Sequence, residues 1–361
     1  ILSAEESGGL NRWLTDNDYS IPDGAAPVLQ PYIDQGLYFF VARVNIDKVT
    51  YKDGSATLSP LRFHYDSENF FLPVRLGLLN AKGAQDLIVH ILARGQRYQV
   101  VNKPNVTIPT NVGVATDAKE RFGEFYAALF DRTLQKNPGA VVTEYAWDAS
   151  GCDPCPGPQL NAEHFVTLGA DVLPNTDPWG FVLTRLHARY TKDQPSEDMV
   201  FAAAPPIVGG REVPGKNGEI EDGATPSGFN NFQGRYIIRH PWTGPITCDN
   251  PQRGIWGGPP GGHDGAPEPI ASAQDTAFAP RGNIELARFV TKPVPELDIS
   301  ATELEEVKNT EPRPIDPSTI KNPGSGGCAS CSTVDGGKSS LAWTLLGLML
   351  GWVVLRRKKQ R

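Results

Sequence analysis

Residues 181–190 read FVLTRLHARY. Phe181, Leu183, Arg185, His187 and Arg189 fall on one side of an extended chain, and Val182, Thr184, Leu186, Ala188 and Tyr190 on the other. This period of two predicts a strand whose faces meet different surroundings. Upstream, residues 140–147 read as a second strand. Between the two lie the Cys152–Pro158 loop and a short helix from Asn161 to Leu168, ended by Gly169. Further upstream, residues 117–136 predict the longest helix. Asp117 is its candidate cap, with Glu120 as capping-box partner. Phe122, Phe125, Tyr126, Leu129 and Phe130 follow the i, i+3, i+4, i+7, i+8 spacing of one buried stripe. Asn137-Pro138-Gly139 stops it.

Toward the N-terminus the patterns are shorter. Residues 37–49, 57–65, 72–79, 86–93 and 97–101 are strand candidates, and Asp53-Gly54 is a hairpin signal. Leu10, Trp13 and Leu14 share a helical face near the start, after which Pro22, Gly24, Pro27 and Pro31 are expected to break any longer helix. Toward the C-terminus, 234–240 is another strand candidate, and Gly/Pro-rich stretches at 205–233 and 251–282 predict long loops. The resulting class is α+β: sheet-rich, mainly antiparallel, with flanking helices. The folded domain is expected over 1–290. A Pro/Gly-rich linker over 291–327 follows, with a short helix at 301–309, and then a tail over 328–361.

The 361 residues carry 39% hydrophobic side chains and a net charge of −7. That is enough apolar material for a core, and it gives no electrostatic footprint for nucleic acid. The dense basic cluster is Arg356, Arg357, Lys358 and Lys359, with Arg361. It follows LAWTLLGLMLGWVVL (341–355), which holds no charge. As a helix, this run spans roughly 22 Å at about 1.5 Å per residue, short of a hydrocarbon core of about 30 Å. The basic residues act as a membrane stop on the cytoplasmic side and place everything before residue 340 outside. The chain opens Ile1-Leu2-Ser3 without Met or a signal peptide. An N-terminal part carrying a secretory signal is therefore expected ahead of it.

Several constellations could carry chemistry. Cys152-Asp153-Pro154-Cys155 has CxxC spacing, but Pro156, Gly157 and Pro158 separate it from the next helix, which argues against a redox pair. A zinc site would use Cys152, Cys155 and Cys248, with His240 or His263 as fourth ligand. For an exported protein a disulfide among Cys152, Cys155 and Cys248 is the favoured reading. No cofactor is expected, zinc being the alternative. His64 and Asp66 flank Tyr65 on one expected strand face, and with Arg185 and His187 they could form a polar cluster. Asp249 and Asp264 fit no calcium loop. Trp242 and Trp256 place aromatics in the Gly/Pro-rich region. Patterns of the GxSxG, HExxH or Walker A type are absent from the sequence.

The tail, with GGCASCS (326–332) ahead of the apolar run and the basic end, resembles the myxobacterial C-terminal sorting signal. The resemblance implies processing or lipid anchoring at Cys328 or Cys331, Cys328 being favoured, and surface display. The stretches LSPLRFHYDS (58–67), LPVRLGLLN (72–80), CDPCPGP (152–158), FVLTRLHARY (181–190) and FQGRYIIRHPWTGPITC (232–248) resemble the bacterial Domain of Unknown Function 2330 over roughly residues 1–260. That family implies no activity. The expectation is therefore an exported, envelope-anchored protein, a non-catalytic surface binding or structural module. The alternatives are a metal-dependent envelope hydrolase using His64, His187 and the cysteines, or a subunit of an exported assembly. The partners expected are the membrane through the tail, a sorting protease and an envelope protein.

Overall fold

The computed structural model describes residues 1–19, 22–43, 45–52, 55–57, 61–79, 83–149, 161–173, 180–191, 197–211, 220–239, 244–245, 247, 249, 285–309 and 354–356. In chain order, α1 (Ser7–Asp16), α2 (Ala25–Asp34), β1 (Leu37–Phe39), β2 (Thr50–Lys52), β3 (Ser55–Thr57), β4 (Phe71–Leu72) and α3 (Arg75–Leu78) come first. There follow β5 (Gln85–Arg94), β6 (Arg97–Val100), β7 (Asn105–Thr107), β8 (Val112–Val114), α4 (Phe122–Lys136), β9 (Val141–Asp148), α5 (Ala162–Thr167) and β10 (Phe181–Tyr190). The last are β11 (Met199–Ala204), β12 (Ile207–Gly209), β13 (Thr225–Pro226), β14 (Asn231–Gln233), β15 (Tyr236–Ile238), α6 (Ala301–Asn309) and β16 (Val354–Arg356). The protein is α+β and rich in antiparallel sheet. The single body expected over 1–290 divides into two compact units: Ile1–Gln85 with Arg189–Phe201 and Pro323–Arg361, and Asp86–Ala188 with Ala202–Asn322.

In the first unit, Leu10 and Leu14 of α1 pack with Leu29, Tyr32 and Ile33 of α2, Leu37 and Phe39 of β1 and Leu76 of α3. Trp13, expected on the same face as Leu10 and Leu14, is 42% exposed and stacks on Tyr19 instead. Helix α2 forms across the prolines expected to prevent it. Pro27 is its third residue, where the N–H would have no intrahelical partner anyway. Pro31 does remove one bond, at a cost of about 3 kcal/mol. Burial of Leu29, Tyr32 and Ile33, roughly 1.5–3 kcal/mol each, outweighs it.

The strand expected over 72–79 is in part the helical turn α3. Its cause is distant in sequence: the buried Asp198 carboxylate accepts the N–H groups of Val74 at 3.0 Å and Arg75 at 3.4 Å. Asp198 also accepts the Tyr32 hydroxyl at 2.7 Å and pairs with Arg75 Nε at 3.5 Å. Of the strand expected over 37–49, Leu37–Phe39 form β1 and a 3₁₀ turn occupies Ile46–Lys48. β2 and β3 pair antiparallel, Lys52 facing Ser55, around the Asp53-Gly54 hairpin signal. β4 pairs antiparallel with β11, Met199 facing Leu72. β16 pairs antiparallel with β1, Leu37 facing Arg356. Of the helix expected over 341–355, residues 341–353 lie outside the described residues. Among those described, no helix is long and apolar enough to cross a membrane.

The second unit is built on a seven-stranded sheet of order β13-β12-β14-β9-β10-β5, with β7 also on β9. β9 is its centre. On one side it pairs antiparallel with β10. On the other it pairs parallel with β7 through residues 141–143, then antiparallel with β14 through 145–147. Gly209 and Gly210 let the chain after β12 lie against β14: a side chain at Gly210, whose φ is +68°, would run into the Gln233 carbonyl. Helix α4 begins at Phe122, five residues later than expected. Thr116–Ala118 form a 3₁₀ turn, and Asp117 pairs with Arg121 instead of capping. Phe125, Leu129 and Phe130 of α4 pack with Val142 and Ala146 of β9 and Phe232 of β14. α5 starts as expected: Asn161 accepts the N–H groups of Glu163 and His164, and His164 Nδ1 accepts that of Asn161.

Two loop expectations are corrected here. The 205–233 segment contributes β12, β13 and β14 to the main sheet. The linker expected from residue 291 begins as core, because Val294, Leu297, Ile299 and Leu304 are buried in the same cluster as α4.

Candidate functional site

The β9–β10 register slips between Arg185 and Leu186. Arg185 faces Tyr145 and Leu186 faces Thr143, which leaves Glu144 as the extra residue of a β-bulge. Bulges re-aim side chains. Here the bulge falls where β9 changes neighbour from β7 to β14, and the Glu144 carbonyl accepts the Gly234 N–H at 3.0 Å. The Glu144 carboxylate is delivered beside Arg185 and His187, two residues of one β10 face.

The cluster is closely bonded. His187 Nδ1 lies 2.7 Å from Glu144 Oε1, and His187 Nε2 lies 3.1 Å from Asp86 Oδ1 of β5. Arg185 Nε forms an ion pair with Glu144 Oε2 at 2.7 Å, at an angle that makes no hydrogen bond. The Tyr126 hydroxyl of α4 donates to Glu144 Oε1. Phe130, one helical turn on, stacks on the His187 ring at 3.7 Å between centroids. Glu144 and His187 side chains are each 5% exposed, Asp86 31% and Arg185 38%, so the cluster runs from the core to the surface.

Burial works against both charges, yet the partners prevail. For His187, the bonds from Asp86 and Glu144 outweigh burial and hold the imidazole above its ordinary value. For Glu144, the His187 bond, the nearby Arg185 and the Tyr126 bond outweigh burial and hold the carboxyl below its ordinary value. Burial, then Glu144, pushes the Tyr126 phenol well up, so it stays a neutral donor. With a carboxylate oxygen facing each of its nitrogens, a protonated His187 donates to both. In that state it has no lone pair to take a proton from a substrate. Tyr236 stands edge-on to Phe125 and Tyr126, its hydroxyl buried without a hydrogen-bond partner.

Of the residues singled out in the sequence, Arg185 and His187 come together in this cluster. His64 and Asp66 do not form the expected strand face; they are exposed in irregular chain of the first unit. Cys152, Cys155, Cys248, His240, His263, Asp264, Trp242, Trp256, Cys328, Cys331, Arg357, Lys358 and Lys359 lie outside the described residues, and Arg356 closes β16. Among the described residues no group of three or more His, Cys, Asp or Glu side chains is placed to hold a metal ion. Sequence reasoning missed Glu144, Asp86 and the Tyr126 bond. One signal was present: Glu144 interrupts VVTEYAW, a strand otherwise without charge.

Fold and cluster together define an α+β protein whose mainly antiparallel sheet holds a buried carboxylate–imidazole pair under one helix. The chain belongs to the family DUF2330, described as an uncharacterized protein conserved in bacteria, which it matches over residues 1–202. The match covers β9, β10 and α4 and ends before the 232–248 stretch. No curated protein and no solved structure matches the chain.

Proposed function

We propose that this chain is an exported, envelope-anchored protein whose folded body is a non-catalytic binding or structural module. The observation that carries the reading is the saturation of His187, both of whose nitrogens face carboxylates, at 2.7 and 3.1 Å. A general base needs a free lone pair within reach of its substrate. A doubly bonded imidazole clamped under Phe130 suits a structural pin that ties β5, β9, β10 and α4 together. The location rests on the sequence of the tail: an uncharged run of 15 residues before Arg356, Arg357, Lys358 and Lys359. Its likeness to the myxobacterial sorting signal supports processing at Cys328 or Cys331, and an oxidising destination supports a disulfide among Cys152, Cys155 and Cys248.

The test has two arms. Protease added to intact cells is expected to digest the folded body of the full chain, and deletion of 328–361 is expected to release that body from the cell. A body protected inside the cytosol would overturn the location. Purified full chain is expected to turn over no ester, phosphate-ester, peptide or glycoside chromogen. Turnover lost in a folded His187→Gln variant, or a stoichiometric zinc whose removal ends turnover, would overturn the non-catalytic reading.

A further inference from the structure

Arg97 opens β6, and only 9% of it is exposed. Its Nε donates to the Pro205 carbonyl at 2.6 Å. Among the described residues its two Nη groups meet no acceptor, and no carboxylate pairs with it. Other arginines of the fold differ. Arg75, Arg185 and Arg211 are each less buried, and each faces a carboxylate: Asp198, Glu144 and Glu221 respectively. A guanidinium taken out of water costs free energy that a counter-charge returns in part. Burial draws the Arg97 guanidinium below its ordinary value, yet an arginine stays protonated.

The group is held in place as well as bare. The Pro205 carbonyl takes the Nε proton, and the Pro205-Pro206 pair is itself restricted in φ. The next amide of β6, that of Tyr98, donates to Thr184 Oγ1 of β10 at 3.2 Å and ties the strand to the main sheet. Neither Nη group is sealed from solvent. Arg97 is thus a fixed, planar, two-pronged donor with its stem sunk in the fold and its tip open. Such a fork matches two oxygens of a carboxylate or phosphate, which accept from it in parallel. Water satisfies the N–H groups but brings no charge.

We infer that Arg97 anchors a binding site for a small ligand carrying a carboxylate or phosphate group, gripped end-on by the two Nη groups. The two anions share this chemistry, and the experiment separates them. The inference names a ligand class for the binding reading above and rests on that reading. Its outcome is read at Arg97, apart from the cell location and the turnover that test the broader reading.

In the full chain, the Nε–Hε signal of Arg97 is followed by nuclear magnetic resonance as acetate or inorganic phosphate replaces chloride at constant ionic strength. A shift that saturates is expected with at least one of them, half-complete on the order of 1–10 mM for an ion of so few atoms. Saturation by acetate alone assigns a carboxylate ligand, by phosphate alone a phosphate, and by both a general oxyanion site. Thermal unfolding gives a second readout. Wild type is expected to gain stability along the same saturating curve, above the unsaturable rise that phosphate gives proteins in general. Folded Arg97→Gln is expected to keep the rise and lose the saturating gain. A shift at Arg97 that stays linear in both anions, or a saturating gain of equal size in Arg97→Gln, would overturn the inference.

Discussion

At the scale of the residue, His187 and Glu144 make the folded state depend on pH, and the two dependences have opposite sign. His187 is raised above 6.5, so its contribution is complete below that value and is lost as pH climbs through the folded value. Glu144 is lowered below 4.5, so its contribution is complete above that value and is lost as pH falls through the folded value. Both are whole between about 4.5 and 6.5. Removing His187 leaves Glu144 with Arg185 and Tyr126 as partners, so the loss falls below the about 3–5 kcal/mol of a fully uncompensated buried charge. Denaturant unfolding of wild type and His187→Gln across pH is expected to show its widest gap inside that window and a narrowing on each side. A gap constant from pH 3 to 10 would show that His187 contributes by packing on Phe130 alone. Arg185 and His187 were legible as a pair from the alternation of FVLTRLHARY. Their partner was not, because a bulge adds one residue to one strand and no local pattern announces which.

At the scale of the element, propensity and tertiary demand disagree twice in the first unit. Pro27 and Pro31 argue against α2, and the run LPVRLGLLN argues for a strand where α3 forms. Both outcomes meet at Asp198, which bonds Tyr32 of α2 and the amides of Val74 and Arg75 at the start of α3. A buried carboxylate is tolerated when its oxygens are so occupied. Asp198→Ala would leave these donors buried and unmet, at roughly 1–3 kcal/mol each. The expected result is faster amide exchange at Val74 and Arg75, with β9 in the second unit unchanged. Unaltered exchange at Val74 and Arg75 would refute the role of Asp198 in forming α3. By contrast the body of α4, α5 and β10 follow their own patterns, since an apolar stripe along a 15-residue helix, an Asn cap and a two-sided strand each carry enough local information.

For the whole molecule, the sequence places the end of the folded body too early. Pro293 and Pro295 and the charges around them read as a spacer. Yet Val294 is 5% exposed, Leu297 2%, Ile299 2% and Leu304 4%. Four such burials amount to roughly 6–12 kcal/mol, comparable with the entire stability of an ordinary domain. A chain ending at residue 293 is therefore expected to lose cooperative unfolding and amide protection in β9, while one ending at 309 keeps both. Equal protection of the two would show that the core closes without this segment.

By itself the sequence determined the α+β class, the positions of β5, β9, β10 and α5, the end and buried stripe of α4 but not its start, and the presence of Arg185 and His187 on one strand face. It did so because apolar periodicity and end-capping are local, written within a few turns or pleats of chain. Only the tertiary structure decided that Glu144 bulges out to meet those two residues, that Asp86 closes the other side of His187, and that Asp198 turns 75–78 into a helix. Each of these is a contact between residues 41 to 124 positions apart. The energy of a buried charge is fixed by which partner arrives beside it, and that is a property of the fold.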